Sequence, residues 1–157
     1  MKKIFGFLFI FLFAIKSYGE IRAPEFSLKD ETGKVVKLSD LKNDVVFLTF
    51  WATTCHSCKR ELPEISQYIY SKYKDKVKFY AIVIDSDNPK QIAAIKKDWK
   101  FDMPVLFGNS EVMEKYRIIG TPITYVIGKD NRLVKIFIGP QPIEKFEQAI
   151  KKALGEG

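Results

Sequence analysis

The 157-residue chain is poor in the residue types that most often build metal sites and covalent cross-links. It contains two cysteines, Cys55 and Cys58, and a single histidine, His56. A structural zinc site takes four ligands, and these three residues are too few to form one. A chain of this length also buries a core large enough to fold without disulfide staples. The two cysteines are therefore available for chemistry.

The chain also lacks a strong charge of either sign. Its net charge is +7, with 26 basic and 19 acidic residues, and three of the lysines lie within the first 19 residues. Without those three, 23 basic residues face 19 acidic ones. Such a small excess, spread over many helical positions, is typical of a solvated surface. We therefore expect no nucleic-acid partner.

The first 19 residues have the pattern of a secretory signal. Lys2 and Lys3 precede an apolar run from Ile4 to Ile15, and Ser17 and Gly19 are small residues at a suitable cleavage position. The alternative is an uncleaved membrane anchor. It is the weaker interpretation, because the run is shorter than the roughly 20 apolar residues of a membrane span. No cysteine follows the run, which argues against a lipid anchor. We expect residues 1–19 to be cleaved, residues 20–157 to form one domain, and the protein to be extracytoplasmic, in a periplasm or at the outer face of the cytoplasmic membrane.

Strand and helix patterns alternate along the rest of the chain. The predicted strands cover residues 24–28, 35–38, 44–51, 77–85, 104–107, 123–127 and 133–138, and the predicted helices cover 55–73, 88–99, 110–116 and 143–154. Pro63 should kink the first helix, and Ser110 could cap the third. The pattern predicts an α/β fold with an N-terminal β-hairpin and a central mixed sheet flanked by helices.

Cys55 and Cys58 lie where a buried strand is followed by a helix. If the helix begins at Cys55, with Thr53 or Thr54 as its cap, unpaired backbone N–H groups and the helix dipole favour a thiolate there. Cys58 lies one turn later, about 4.5 Å along the axis, within reach of disulfide geometry. We therefore predict a mixed-disulfide mechanism in which Cys55 attacks and Cys58 resolves.

Two ionisable residues near the cysteines each have two interpretations. His56, if protonated, would stabilise the Cys55 thiolate, but it is equally typical of a solvent-facing position. Glu61, one turn beyond Cys58, could relay a proton to or from the second thiol. The alternative for Glu61 is an ordinary solvated glutamate.

Two stretches carry a family resemblance. Phe50 to Pro63 resembles the active-site block of thioredoxin-fold proteins of the TlpA/ResA/CcmG group, and Tyr116 to Ile127 resembles the second block of that group. The N-terminal hairpin and an additional strand–helix unit around Asp85 to Phe107 also match this group. The resemblance covers nearly the whole chain after residue 19 and implies a thioredoxin-like fold with an inserted strand–helix unit.

The resemblance also implies roles for particular residues. Pro122 matches the cis-proline that faces the cysteines, and the Thr121 backbone would hydrogen-bond an extended substrate segment. Glu61 matches an active-site glutamate of ResA-like members, which favours the proton relay. Trp51 and His56 complete the predicted substrate-binding residues.

Three positions depart from the pattern of the family. Thr49 replaces a buried acid of thioredoxins, so carboxylate assistance would have to come from Glu61. Thr54 replaces a frequent tryptophan, and Ser57 replaces a frequent proline. The residues between the two cysteines strongly influence the reduction potential of the Cys55–Cys58 dithiol/disulfide couple. Because His56 and Ser57 depart from the family pattern there, the resemblance does not predict that potential.

The leading hypothesis is a monomeric thiol-disulfide oxidoreductase, without cofactor or metal, that reduces protein disulfides. The resemblance implies apocytochrome c as a substrate and a membrane thiol carrier as electron donor, with membrane contact only through the N-terminal segment. A general reductant, or an oxidant of exported proteins, fits the residues almost as well.

Two other classes of protein fit the residues less well. A peroxiredoxin-type peroxidase requires a threonine three residues before the reactive cysteine and a proline further upstream, where this chain has Ala52 and Leu48. A copper chaperone of the Sco type spaces its cysteines more widely and uses a distant histidine, whereas His56 lies inside the motif.

Overall fold

The structure is a computed structural model that describes residues 20–157, so the predicted signal at 1–19 lies outside the described residues. The strands are β1 (Ser27–Lys29), β2 (Val35–Lys37), β3 (Val45–Trp51), β4 (Val77–Val83), β5 (Val105–Phe107), β6 (Ile123–Ile127) and β7 (Leu133–Ile138). The α-helices are α1 (His56–Glu64), α2 (Ser71–Tyr73), α3 (Pro89–Trp99), α4 (Ser110–Lys115) and α5 (Ile143–Leu154). Within residues 20–157, no helix is both long and apolar enough to cross a bilayer.

Five strands form a mixed sheet, as the sequence pattern predicts. Their order is β5-β4-β3-β6-β7, with β3 parallel to β4 and antiparallel to β6. Strands β4 and β5 run parallel, and β6 and β7 form an antiparallel pair. The predicted N-terminal hairpin is a separate two-stranded sheet of β1 and β2. The thioredoxin-like α/β fold is thereby confirmed.

The central strand β3 is buried along its whole length. Phe47 and Trp51 point into a core cluster beneath α1, α3 and α5, whereas Leu48 and Phe50 point into a second cluster beneath β1 and α4. Successive side chains of a strand alternate between the two faces of a sheet. A continuous apolar run therefore suits a strand that is covered on both sides, and its carboxyl end delivers the cysteine motif.

The inserted strand–helix unit comprises α3 and β5. Asn88 caps α3, because its side-chain oxygen accepts the N–H groups of Lys90 and Gln91. Glu31, in the turn of the hairpin, accepts hydrogen bonds from Lys96 Nζ and from the Val105 N–H, both at 2.9 Å. The hairpin therefore covers the edge of the sheet at β5.

The helical run that follows the motif is less regular than predicted. It continues from α1 as a π-helical segment, Ile65–Tyr70, and then as α2. Pro63 lies inside α1 and cannot donate to the Lys59 carbonyl, and the π-helical segment begins two residues after it. The cap of α4 is Asn109, whose side chain accepts the Val112 N–H, so the prediction of Ser110 was wrong by one residue.

Candidate active site

Cys55 is the N-cap of α1 rather than its first residue. Its sulfur accepts the backbone N–H of Cys58 at 3.2 Å. The two cysteines form a disulfide with a Cα–Cα distance of 5.3 Å. The reactive sulfur thus occupies the position from which a cap accepts the unpaired N–H groups of a helix, where a thiolate is favoured.

Neither threonine caps the helix, so that prediction was wrong. Thr53 instead donates its backbone N–H and its hydroxyl to the Asp85 carboxylate, both at 2.8 Å. Asp85 follows β4, which is the parallel neighbour of β3. These bonds fasten the loop before Cys55 to the adjacent strand.

The two sulfurs differ in their access to solvent. Cys55 is half-buried, whereas Cys58 is 0% exposed. The Ser57 hydroxyl lies 3.5 Å from Cys55 Sγ. A partner can therefore reach Cys55 but not Cys58, which supports the predicted order of attack and resolution.

The second block of the resemblance lies against the first. The Thr121–Pro122 peptide bond is cis, as the resemblance implies. The Thr121 carbonyl oxygen lies 3.5 Å from Cys55 Sγ. The Pro122 carbonyl in turn accepts the Gly139 N–H at 2.9 Å. The fold thus brings together residues 66 positions apart in the chain.

Glu61 is a buried acid, and its interpretation as a solvated glutamate was wrong. The residue is 4% exposed, and its Oε2 accepts the Gln141 backbone N–H at 2.7 Å. Its Oε1 is buried without a hydrogen-bond partner. Burial raises the pKa of Glu61 to about 7, the Gln141 N–H opposes that rise, and the nearby Glu64 charge adds to it.

A neutral pair occupies the place of the missing buried acid. Thr124 and Thr49 are both buried on neighbouring strands, and their hydroxyl oxygens lie 3.0 Å apart in a hydrogen bond. Within residues 20–157, Glu61 is the only buried carboxyl group. Glu61 is therefore the candidate for a buried carboxyl group that could assist the cysteines.

The structure does not bring all predicted contact residues to the surface. Trp51 is 0% exposed, and its ring packs against Trp99 and Phe101 at centroid distances of 5.4 and 5.5 Å. The prediction that Trp51 contacts substrate is corrected, because alternation along β3 turns its ring into the core. His56 is exposed beside Cys55. Among the described residues, no three His, Cys, Asp or Glu side chains are arranged to hold a metal ion.

Sequence reasoning missed two residues of the site. Asp85 could have been found, because the carboxyl ends of parallel strands meet at one edge of a sheet. Gln141 carried no signal, since it acts on Glu61 through a backbone N–H from 80 residues away.

An accessible sulfur at a helix start, a buried second sulfur and a facing cis-proline on a thioredoxin-like fold define a thiol-disulfide oxidoreductase. The chain belongs to the AhpC/TSA family, whose sequence profile matches residues 20–136.

Individual relatives carry names of the same class. The chain is 34% identical over 132 residues to thiol-disulfide oxidoreductase ResA of Bacillus thuringiensis subsp. konkukian, covering 83% of this chain and 75% of that protein. It is 29% identical over 131 residues to the thioredoxin-like protein YneN of Bacillus subtilis, covering 82% and 76%. Among solved structures, a candidate thiol:disulfide interchange protein DsbE from Chlorobium tepidum superposes with a TM-score of 0.75 at 30% identity, covering 87% and 97%.

Proposed function

We propose that the protein is an extracytoplasmic reductant of protein disulfides. The observation that carries this proposal is the arrangement of half-buried Cys55 against Thr121, with fully buried Cys58 and buried Glu61 behind it. Such a site exposes one sulfur to a partner and shields the other until the mixed disulfide forms.

The reaction begins with the dithiol form of the protein. The Cys55 thiolate attacks one sulfur of the partner's disulfide, the partner's S–S bond breaks, and its departing sulfur takes up a proton. Cys58 then loses its proton and attacks Cys55 Sγ, which forms the Cys55–Cys58 disulfide and releases the partner's second thiolate. Two electrons pass to the partner, and a membrane dithiol carrier restores the reduced protein.

Glu61 would take the proton from Cys58. Burial disfavours a thiolate at Cys58, so its attack requires a nearby acceptor. Glu61 lies three residues further along α1 and has one carboxylate oxygen without a partner. With a pKa of about 7, it can accept and return a proton near neutral pH.

The remaining assignments rest on the sequence and the family. Residues 1–19 have the pattern of an export signal, which supports an extracytoplasmic location. The resemblance to the ResA group supports apocytochrome c as a substrate. We also propose that the Thr121 backbone binds an extended substrate segment, and that exposed His56 contacts the partner and influences the couple.

Trapping of mixed disulfides in cells identifies the substrate, and the reduction potential tests the direction of electron flow. A Cys58→Ser variant retains Cys55 but cannot resolve, so it should accumulate mixed disulfides that a Cys55→Ser, Cys58→Ser variant does not form. The reduction potential of the purified couple should lie well below the roughly −120 mV of a strong oxidant such as DsbA. A potential near that value, with exported folding proteins trapped, would contradict the reductant proposal. If cytochrome c maturation stays intact when the protein is deleted, apocytochrome c is excluded as its substrate.

Two further assays separate the alternative classes. A peroxidase would consume peroxide when supplied with a dithiol, despite Ala52 at the position where peroxiredoxins require threonine. A copper chaperone would bind Cu(I) tightly and in a manner that depends on His56.

A further inference from the structure

One carboxylate extends the pairing of β3 and β4 beyond their backbone hydrogen bonds. At the carboxyl ends of these strands, the Ile84 N–H donates to the Trp51 carbonyl at 3.0 Å. Asp85 comes next, and its two oxygens accept the Thr53 N–H at 2.8 and 3.1 Å and the Thr53 hydroxyl at 2.8 Å. The side chain thus takes the place of a strand neighbour for a residue that lies beyond β3.

Thr53 lies inside the turn that leads to the reactive sulfur. The Cys55 N–H donates to the Ala52 carbonyl at 3.1 Å, which is the hydrogen bond that closes a four-residue turn. Cys55 Sγ then accepts the Cys58 N–H at 3.2 Å. The carboxylate therefore fixes the turn, and the turn fixes the sulfur that caps α1.

The disulfide and dithiol forms depend on this carboxylate to different degrees. In the disulfide form, a covalent bond ties Cys55 to Cys58, which is fully buried in the core. In the dithiol form that bond is absent. The half-buried Cys55 side chain borders a cavity of about 260 Å³, so a free thiol has room to leave the cap. The turn that Asp85 holds opposes this movement, and Asp85 therefore matters more to the dithiol form.

The charges around the sulfur act alongside these hydrogen bonds. His56 and Lys59 of α1 line the same cavity, and Lys59 pairs with Asp98 of α3 at 3.4 Å. Asp85 is itself negative, and a negative charge disfavours a thiolate at Cys55. Its charge and its hydrogen bonds thus act on the thiolate in opposite directions. Because the Asp85 side chain is exposed, solvent screens the charge, and the hydrogen bonds have the larger effect.

We propose that Asp85 is a positioning residue for Cys55. By holding Thr53, it keeps the Cys55 sulfur at the cap of α1 in the dithiol form, where backbone N–H groups stabilise a thiolate. It thereby sets both the reactivity of that thiolate and the reduction potential of the couple. The inference goes beyond the proposed function, because it holds for either direction of electron flow.

Alkylation of the reduced protein tests this role. In a Cys58→Ser background, Cys55 is the only thiol of the chain, and its rate of reaction with iodoacetamide is measured from pH 4 to 9. Asp85→Ala removes the acceptor, whereas Asp85→Asn removes the charge but keeps an oxygen that accepts the Thr53 N–H. The matched control is Asp87→Ala, which removes the same charge from an exposed position two residues further along.

We expect Asp85→Ala to raise the midpoint of the pH profile by about one unit, which lowers the rate constant about tenfold below that midpoint. Asp85→Asn should stay within twofold of the wild type, and Asp87→Ala should match it. Thr53→Val, which loses only the hydroxyl bond, should give a loss of about threefold and serves as the second variant if Asp85→Ala folds poorly.

The reduction potential provides a second readout. With both cysteines present, Asp85→Ala should shift the equilibrium with a reference dithiol about tenfold toward the disulfide form, because it destabilises the dithiol form more. For a two-electron couple this is about 30 mV toward lower potential.

Three results would overturn the inference. If Asp85→Ala and Asp85→Asn both react faster than the wild type, the charge of Asp85 acts on the sulfur and its hydrogen bonds do not. If Asp85→Ala lowers the stability to urea but leaves the pH profile and the potential unchanged, its role is structural alone. If Asp87→Ala is equally slow, the effect belongs to any acid at this edge. In each case the proposed function survives, since it fails only if the protein does not reduce protein disulfides.

Discussion

Glu61 shows how one residue acquires its chemistry from its surroundings. Its Oε2 accepts a single backbone N–H and its Oε1 accepts nothing, so burial dominates and the carboxyl holds its proton to about pH 7. In the unfolded chain the same group would titrate near its ordinary pKa of 4.5. Between pH 4.5 and about pH 7, Glu61 therefore takes up a proton when the chain folds.

This difference predicts how stability changes with pH. Because the folded-state pKa is raised, the protonated form supports folding below pH 4.5, and that contribution is lost as the pH rises through about 7. Glu61→Gln should match the wild type near pH 4 and exceed its free energy of unfolding by up to about 3 kcal/mol at pH 8. Urea unfolding across this pH range measures the difference. Glu144→Gln, an exposed acid on α5, should show no such trend.

The same substitution should slow the resolving step. Without the buried carboxylate three residues beyond Cys58 on α1, the rate of release of a partner from its mixed disulfide with Cys55 should fall by about 100-fold at pH 7 and lose its inflection near that pH. Stopped-flow release of a chromophoric thiol between pH 5 and 9 measures this rate. A variant that retains both the rate and the inflection would exclude Glu61 as the proton acceptor.

At the scale of elements, one side chain of the N-terminal hairpin, Glu31, contacts both parts of the inserted unit. Glu31 accepts from Lys96 Nζ and from the Val105 N–H, and both charged side chains are largely shielded from solvent. The hairpin also meets the sheet at Asp30, which bridges to Leu106. An edge strand such as β5 needs a cover of this kind, because its unpaired backbone groups otherwise invite association.

Removal of the Glu31 carboxylate should lower the stability of the folded protein. Glu31→Ala leaves the Lys96 ammonium and the Val105 N–H without their partner, and we expect the free energy of unfolding to fall by about 2 kcal/mol. Glu111→Ala is the matched control, because Glu111 pairs with Lys115 on an exposed surface of α4, where such pairs contribute less than about 1 kcal/mol. Urea denaturation of both variants provides the comparison, and equal losses would contradict the proposed tether.

The molecule as a whole must remain folded in both redox states. The core lies in two clusters on the two faces of the sheet, and the disulfide closes only the short loop from Cys55 to Cys58. Such a loop constrains the unfolded chain little, so most of the stability comes from the core rather than from the cross-link.

The sign of the stability change on reduction reports the direction of electron flow. A reductant is more stable when oxidised, whereas a strong oxidant such as DsbA is more stable when reduced. We expect reduction with dithiothreitol to lower the free energy of unfolding by at most about 2 kcal/mol. The Cys55→Ser, Cys58→Ser variant should not respond to the reagent. A gain in stability on reduction would indicate an oxidant instead.

The amino-acid sequence by itself determined the elements and the reactive pair. The apolar run of β3, the spacing of the two cysteines and the predicted helix at 143–154 are local patterns, and each depends on residues within a few turns or strand positions. The resemblance supplied Pro122 and favoured a proton relay at Glu61, which its position one turn beyond Cys58 had already suggested. The predicted start of α1, in contrast, was misplaced by one residue, because Cys55 is the N-cap of the helix and not its first residue.

Only the tertiary structure decided which distant groups meet. It turned Trp51 into the core, paired Thr49 with Thr124, and placed the Gln141 N–H on Glu61. These contacts depend on the order of the strands and on the course of loops far along the chain. Local periodicity carries no information about either, because it reports which face of an element is buried and not what lies against that face.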